Sequence, residues 1–376
     1  MNTAVESLEP AIDPNNRISF LLDWELTMKC NLDCTYCPTG LYGGHDNSTR
    51  HPPLQKCLEA LDFMFAYVDL YMSTKPQGIR YVILNVYGGE SLHHPDIVDI
   101  LNQIKNKYKI YSNKWHLTVT TTTNAIVSDK KLRQIIPYID EFTVSYHTEN
   151  TDKQQQQFKK NLLTIAESGK RQKCVVLMHQ QPDLFDDSKR MILWLERNKI
   201  KFLPKQLDGQ PGLFGAKRIY SQQQVQWFGK LYKDKTFGAP EELLQDKSDL
   251  NLTDVGRACC GGRQLCANKN LKQRHFYVEN KFPDWYCSVN HFFLHIKQVN
   301  GEVYVNKDCK MNFNGEVGPI GNLSNTQQIL STLRDQLATD SLPVIQCKKY
   351  NCFCGLCAPK AKDLKTYNAI MEKYYL

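Results

Sequence analysis

Two patterns of apolar and polar positions alternate along residues 18–206. Short runs rich in β-branched and aromatic residues predict buried strands, and longer stretches with apolar residues at helical spacing predict helices between them. The strands are expected at Ile18–Glu25, Tyr81–Tyr87, Trp115–Thr122, Glu141–Tyr146, Cys174–Met178 and Lys199–Pro204. The helices are expected at Cys57–Tyr71, Pro95–Ile104, Ser128–Ile136, Asp152–Glu167 and Ser188–Asn198.

This alternation of strands and helices determines the expected fold class. Parallel neighbouring strands need a crossover connection, usually a helix, and such crossovers are right-handed. We therefore predict an α/β protein in which residues 18–206 form a partial (β/α)6 barrel of parallel strands. The reactive site is expected beyond the carboxyl ends of these strands.

The alternation stops after residue 206, and a cysteine-rich region follows. Residues 1–17 are expected to be a leader, and residues 207–254, which include the turn-rich stretch DGQPGLFG, a bridging segment. Residues 255–360 are expected to form a small cysteine-rich α+β domain with a β-hairpin, and residues 361–376 a C-terminal helix. Asn300-Gly301 between two apolar runs indicates the hairpin. The other elements are expected at Ser221–Tyr232 (helix), His291–Gln298 and Glu302–Lys307 (strands), and Gln327–Leu337 and Leu364–Tyr374 (helices).

Composition and charge narrow the class of protein. The chain has 376 residues, and its net charge of +8 comes from 47 basic and 39 acidic residues without long blocks of like charge. This distribution argues against a dedicated nucleic-acid arm, although the basic excess leaves an RNA-modifying enzyme as an alternative. No apolar run has the ~20 residues that a membrane helix needs, and the N-terminus lacks a signal-peptide pattern. A cytoplasmic protein with no membrane partner is therefore expected.

The 14 cysteines are unevenly distributed. Three lie within Cys30–Cys37, and nine lie between Cys259 and Cys357. Without a secretory signal, metal binding or catalysis is a better explanation than a disulfide framework. We therefore expect two separate metal regions.

The first region, Cys30-x3-Cys34-x2-Cys37, directly follows the first predicted strand. A [4Fe–4S] cluster usually takes four cysteines, so three would leave one iron with an open coordination position, as catalytic metal sites have. Zinc is the alternative, but zinc motifs usually pair their ligands as Cys-x-x-Cys or with histidine.

With Tyr36 before its last cysteine, this motif resembles the signature of the radical S-adenosylmethionine (radical SAM) superfamily. The resemblance implies that Cys30, Cys34 and Cys37 hold a [4Fe–4S] cluster and that S-adenosylmethionine chelates its open iron. It also implies reductive cleavage of this cofactor to a 5′-deoxyadenosyl radical, which abstracts hydrogen from the substrate. An electron donor such as flavodoxin or ferredoxin is then expected, and Tyr36 is assigned to the cofactor site.

Other polar residues at predicted strand ends extend the resemblance. Gly88-Gly89-Glu90 resembles the family's GGE motif, which holds the amino group of the cofactor. Asn124 and Ser145 occupy strand ends from which cofactor contacts are expected. His147 and His179 are further candidates, as proton donors or acceptors.

The C-terminal cysteines resemble the SPASM and twitch extensions of radical SAM enzymes, which carry auxiliary [4Fe–4S] clusters. One or two such clusters are expected, although the spacing departs from the usual pattern and zinc is a competing interpretation. The expected ligands are Cys260, Cys266, Cys287, Cys309, Cys347, Cys352, Cys354 and Cys357.

The expected function is hydrogen abstraction from a peptide or small-molecule substrate. A zinc-binding scaffold or interaction protein is the alternative outside enzymes.

Overall fold

The structure is a computed structural model. It describes residues 7–8, 18–37, 50–74, 80–207, 220–234, 284–291, 293–306, 312, 316–347 and 360–374. Most of the predicted bridging segment lies outside these ranges. Six of the predicted C-terminal metal ligands also lie outside them, namely Cys260, Cys266, Cys309, Cys352, Cys354 and Cys357.

Six parallel strands form the centre of the molecule and pair in chain order. We number the strands longer than two residues: β1 is Ile18–Thr27, β2 Arg80–Gly88, β3 His116–Thr123, β4 Glu141–Tyr146, β5 Arg171–Met178 and β6 Phe202–Gln206. Helices alternate with them: α1 is Leu54–Ser73, α2 Ile97–Tyr111, α3 Asp129–Ile135, α4 Asp152–Glu167 and α5 Pro182–Arg197, and α6 (Gln222–Asp234) follows β6. This order confirms the predicted partial (β/α)6 barrel.

The outer face of β1 is apolar because it packs against helix α1. Phe20, Leu22 and Trp24 point the same way from the strand, and all three are fully buried. The ring of Phe20 lies 5.0 Å from that of Tyr71 on α1. Burial of this face supplies the hydrophobic stabilisation that holds the helix on the sheet.

Polar side chains fix where two of the helices begin. The Thr151 hydroxyl accepts a hydrogen bond from the backbone N–H of Gln154, and the Gln154 side chain accepts one from the Thr151 N–H, which completes a capping box at the start of α4. Ser128 caps α3 through the backbone N–H of Lys131. Both helices therefore start at defined points just after a strand end, where the site residues lie.

The predicted hairpin forms, and it joins the barrel sheet. Its strands are β7 (Phe293–Lys297) and β8 (Glu302–Tyr304), which pair antiparallel. Strand β7 also runs parallel to β1 and pairs with it. The side chain of Gln298 accepts a hydrogen bond from Trp24 Nε1 (2.9 Å) and donates one to the backbone oxygen of Lys56 on α1 (3.0 Å). The hairpin thus covers the edge of the sheet that β1 would otherwise leave exposed.

The inner face of the sheet is polar at this edge. Asp23 lies opposite Asn85 on β2 and opposite His295 on β7, and all three are at most 4 % exposed. Asn85 Nδ2 donates to Asp23 Oδ1 at 2.7 Å. In the next layer Glu25 lies opposite Tyr87. Strands that are buried on both faces usually carry apolar residues on both, so this polar face is unusual.

A two-residue strand, Gly321–Asn322, pairs with β8 at the edge of the main sheet, and other described residues form a small second sheet and two helices. Four two-residue strands pair antiparallel in the order Ser7–Leu8, Lys360–Ala361, Tyr286–Cys287 and Ile345–Gln346. Helix α7 (Thr326–Ala338) packs against α1, and α8 (Leu364–Tyr374) follows the second sheet. No helix in the described part of the chain has the length and apolar character needed to span a membrane.

Candidate active site

The three cysteines of the first motif lie in one loop at the carboxyl end of β1. Cys34 is buried, and Cys30 and Cys37 are half-buried. All three belong to one apolar cluster with Leu32 and Tyr36. The backbone N–H of Cys37 donates to the carbonyl of Cys34 at 3.0 Å, which closes a turn between them. The loop therefore gathers three thiols at one place, shielded from water.

The chemistry of these thiols fits an iron–sulfur cluster. Burial, with the neighbouring charges, raises the pKa of Cys30 to about 11 and that of Cys34 to about 12, so both are protonated until a metal displaces the proton. No group of three histidine, cysteine or acidic side chains among the described residues is arranged to hold a single metal ion. In a cubane each of three such thiolates binds a different iron, and the fourth iron is left for another ligand.

Two asparagines attach the loop to the end of β3. Asn31 Nδ2 donates to the backbone oxygen of Ile126 at 3.0 Å, and Asn124 Nδ2 donates to Asn31 Oδ1 at 2.8 Å. Asn124 Nδ2 also lies 3.9 Å from Cys30 Sγ, and the N–H of Leu32 donates to the same sulfur at 3.4 Å. Asn124, predicted as a cofactor residue, is thus in direct contact with the cysteine loop.

The ends of β4 and β5 hold the other side of the loop. The carboxylate of Glu149 accepts hydrogen bonds from both the backbone N–H (2.7 Å) and the hydroxyl of Thr35. The Tyr36 hydroxyl lies 2.7 Å from Nδ1 of His147. His179 Nε2 is 3.7 Å from Glu149 Oε1. Thr35 and Tyr36, the two residues after Cys34, are therefore held by residues at the neighbouring strand ends.

The Gly88-Gly89 pair lets β2 approach the loop closely. The N–H of Gly89 donates to the carbonyl of Thr27 at 2.8 Å, and the N–H of Glu90 donates to that of Lys29 at 2.9 Å. A Cβ on Gly89 would lie 2.5 Å from the backbone oxygens of Met28 and Lys29. Only glycine fits here, because any side chain would push the cysteine loop away.

The carboxylate of Glu90 is fully buried and accepts three hydrogen bonds. Its donors are the Leu92 N–H (3.0 Å), the Thr123 hydroxyl (2.8 Å) and the Asn124 N–H (2.6 Å). Burial raises the pKa of Glu90 to about 7, and the three hydrogen bonds oppose that rise. Glu90 therefore ties the end of β2 to the end of β3 and positions Asn124.

The other predicted site residues are distributed between the barrel and the second sheet. Ser145 is on β4 opposite Val175, two residues before His147. Cys287 and Cys347 are both buried in the second sheet, where the N–H of Cys347 donates to the carbonyl of Trp285 at 2.8 Å. Cys287 pairs with Ile345, so Cys287 and Cys347 project from the same face as diagonal neighbours.

Sequence reasoning did not identify Glu149, and it named His147 and His179 without assigning them to the cysteine loop. All three lie just after strand ends, which is the available sequence signal. Their contacts with Thr35 and Tyr36 join residues more than a hundred positions apart. Such pairings follow from the folded sheet and not from local pattern.

Part of the chain matches a known family model. Residues 24–178 match the model of the Radical SAM superfamily. No curated protein matches the chain.

The fold is shared with the solved structures of anSMEcpe, and a weaker similarity extends to a third structure. Native anSMEcpe with bound AdoMet and Cp18Cys peptide is 12 % identical, with a TM-score of 0.51, over 95 % of this chain and 96 % of that one. Native anSMEcpe with bound AdoMet is 11 % identical, with the same TM-score of 0.51, over 94 % and 96 %. Coproporphyrinogen III oxidase from Escherichia coli, a radical SAM enzyme, has 13 % identity, a TM-score of 0.37, and coverage of 58 % and 53 %.

The matched residues include the whole cysteine loop and strands β2 to β5. The barrel strands, the cysteine loop and the family match therefore lie in the same part of the chain. Residues 24–178 therefore match a radical SAM domain, and this match supports an enzyme of AdoMet-dependent radical chemistry.

Proposed function

We propose that Cys30, Cys34 and Cys37 hold a [4Fe–4S] cluster and that the enzyme abstracts hydrogen from a peptide or small-molecule substrate. The observation that carries the proposal is the loop itself, which gathers three thiols in one apolar cluster at the carboxyl end of β1. When bound, the cluster and S-adenosylmethionine together supply a 5′-deoxyadenosyl radical on one-electron reduction. An electron donor such as flavodoxin or ferredoxin belongs to this proposal.

Residues around the loop are proposed to bind and orient the cofactor. The Gly88-Gly89 backbone, which packs directly against the start of the cysteine loop, is the proposed surface for its amino group. Glu90 supports this surface from behind, because its carboxylate is engaged with Leu92, Thr123 and Asn124. Tyr36 and Ser145 are the remaining proposed contacts. The apolar cluster of Leu32, Cys34 and Tyr36 limits the access of water to the loop, which protects a reactive radical from side reactions.

A polar substrate is supported by the inner face of the sheet. Asp23, Glu25 and Tyr87 line this face below the glycine pair, where an ordinary parallel sheet carries apolar residues. AnSMEcpe, whose fold this chain shares, binds AdoMet together with a peptide. Among polar substrates we therefore favour a peptide.

An auxiliary cluster in the C-terminal region completes the proposal. Cys287 and Cys347 are 3 % and 4 % exposed and share one face of the second sheet. Diagonal neighbours on an antiparallel pair are ~7–8 Å apart, which exceeds the usual reach of a disulfide. Both thiols are therefore proposed to ligate a larger group together with other cysteines of this region. A zinc ion there is the alternative.

Isotope transfer tests the substrate class. The reconstituted enzyme is incubated in ordinary H2O buffer with AdoMet, reductant and peptide pools that carry deuterium on carbon, and a parallel reaction contains RNA deuterated on carbon. The 5′-deoxyadenosine formed is analysed by mass spectrometry. Deuterium in 5′-deoxyadenosine and a mass change in one peptide support the proposal. Label arriving only from deuterated RNA would establish the RNA-modifying alternative instead.

A further inference from the structure

Two polar groups from different elements meet at the sulfur of Cys34. Nδ1 of His147 lies 3.4 Å from Cys34 Sγ and 2.7 Å from the Tyr36 hydroxyl. The two rings are stacked, with an interplanar angle of 3° and centroids 5.9 Å apart. Tyr36 is only 9 % exposed, so water has little access to these contacts.

The donors can be assigned from the chemistry of the groups. The Tyr36 hydroxyl is a hydrogen-bond partner of the Cys34 sulfur. Nδ1 is the ring atom of His147 that faces both Cys34 and Tyr36, and a neutral imidazole carries one N–H. In one consistent arrangement, Nδ1–H donates to the Tyr36 oxygen and the Tyr36 O–H donates to the sulfur.

We propose that His147 and Tyr36 act as a hydrogen-bonded pair that donates to the Cys34 sulfur and raises the reduction potential of the cluster held there. The inference rests on the proposed function, in which Cys34 is a cluster ligand. Reduction adds negative charge, part of which resides on the ligand sulfurs. A hydrogen bond to a sulfur therefore stabilises the reduced cluster more than the oxidised one.

The surroundings hold this pair in place. Tyr146, next to His147, is fully buried against Phe158 and donates its hydroxyl to Asp187 on α5 at 2.5 Å. The N–H of Asn150 donates to the carbonyl of His147 at 3.2 Å, which shapes the turn after β4. On the other side, Glu149 fixes Thr35, the residue between Cys34 and Tyr36. His147 and Tyr36 are thus positioning residues with little freedom to leave the sulfur.

Three substitutions and one control test the pair. His147→Phe keeps an aromatic ring but removes the N–H, Tyr36→Phe removes only the hydroxyl, and His147→Asn restores a donor near the position of Nδ1. His116→Phe is the matched control, because His116 also stacks on a tyrosine, Tyr81, with centroids 5.2 Å apart, but lies at the start of β3, away from the loop.

The measurement is the midpoint potential of the reconstituted holoenzyme by redox titration with electron paramagnetic resonance. The signal followed is the one that the Cys30, Cys34 and Cys37 triple alanine variant lacks, so a C-terminal cluster does not interfere. We expect a more negative midpoint in His147→Phe and Tyr36→Phe, partial recovery in His147→Asn, and no change in His116→Phe.

An unchanged midpoint in Tyr36→Phe and His147→Phe, at full iron content, would overturn the inference. If His147→Phe fails to take up iron, Tyr36→Phe alone decides, since it removes a single oxygen atom. A wild-type signal that persists in the triple variant would instead overturn the proposed function, so the two failures are distinguishable.

Discussion

Gly89 has no room for a side chain, and its position makes this a functional constraint. A Cβ there would lie 2.5 Å from the backbone oxygens of Met28 and Lys29, which lead directly into Cys30. We predict that Gly89→Ala displaces the cysteine loop and lowers the rate of AdoMet cleavage by ~100-fold, the loss that a misplacement of about 1 Å can cause. The rate of AdoMet cleavage is measured as the rate of 5′-deoxyadenosine formation under reducing conditions.

Gly169→Ala is the control for this substitution. Gly169 has φ +72°, so alanine is strained there, but nothing lies within 4 Å of its Cβ position. It should cost about 1 kcal/mol of stability and leave the cleavage rate unchanged. Equal rates in Gly89→Ala and Gly169→Ala would contradict the role given to the glycine pair.

The raised pKa of Glu90 makes the stability of the fold depend on pH. Burial raises its pKa to about 7 from an ordinary 4.5, so the folded apoprotein binds this proton more tightly than the unfolded chain does. The folded state therefore loses stability relative to the unfolded chain as pH rises from about 4.5 to about 7, by ~3 kcal/mol at most.

The glutamine of Glu90→Gln cannot ionise, so this variant lacks the pH-dependent contribution of Glu90 to stability. Both apoproteins are unfolded with denaturant at pH 5, 6, 7 and 8. The free energy of unfolding of the variant, relative to that of the wild type, should increase up to pH 7 and stay constant above it. A constant difference between the two across this range would refute the raised pKa.

At the scale of elements, the hairpin β7–β8 is held to the barrel by Gln298. Removal of its side chain leaves the buried Trp24 indole N–H and the Lys56 carbonyl without this partner. We predict that Gln298→Ala lowers the free energy of unfolding by ~1–3 kcal/mol. Gln223→Ala, at an exposed position of α6, is the matched control and should change it by less than about 0.5 kcal/mol. A loss in Gln298→Ala no larger than in the control would contradict the docking of the hairpin.

The elements themselves were predictable, since each has a local pattern. The runs Tyr81–Tyr87 and Glu141–Tyr146 were recognised as strands because their residues favour buried β-structure, and Asn300-Gly301 identified the hairpin. The pairing of β7 with β1 was not predictable. It joins Asp23 to His295, and no pattern within either strand specifies a partner so distant in sequence.

The residues of the candidate site were also only partly predictable from the sequence. Cys30, Cys34, Cys37 and the glycine pair were recognised because their spacing or sequence is itself a motif. Glu149 was missed because one acidic residue after a strand has no distinctive spacing. Its role follows only from its two hydrogen bonds with Thr35.

For the whole molecule, strand β7 makes the C-terminal region part of the barrel. The chain 1–234 would keep β1 to β6 but would expose the edge of β1, including the buried polar residues Asp23 and Glu25. We predict that this fragment does not fold cooperatively and aggregates on expression. Limited proteolysis and thermal unfolding, with the full chain as control, measure this, and a monomeric fragment with a sharp transition would contradict it.

The loop after β1 is proposed to hold a catalytic cluster. The most direct test of this claim is the iron, sulfide and zinc content of anaerobically purified wild type and of the triple variant Cys30→Ala, Cys34→Ala and Cys37→Ala, with AdoMet cleavage assayed alongside. We predict about eight or more irons in the wild type, about four fewer in the variant, and no 5′-deoxyadenosine from the variant. Equal iron in both proteins, or zinc without cleavage in the wild type, would contradict the claim.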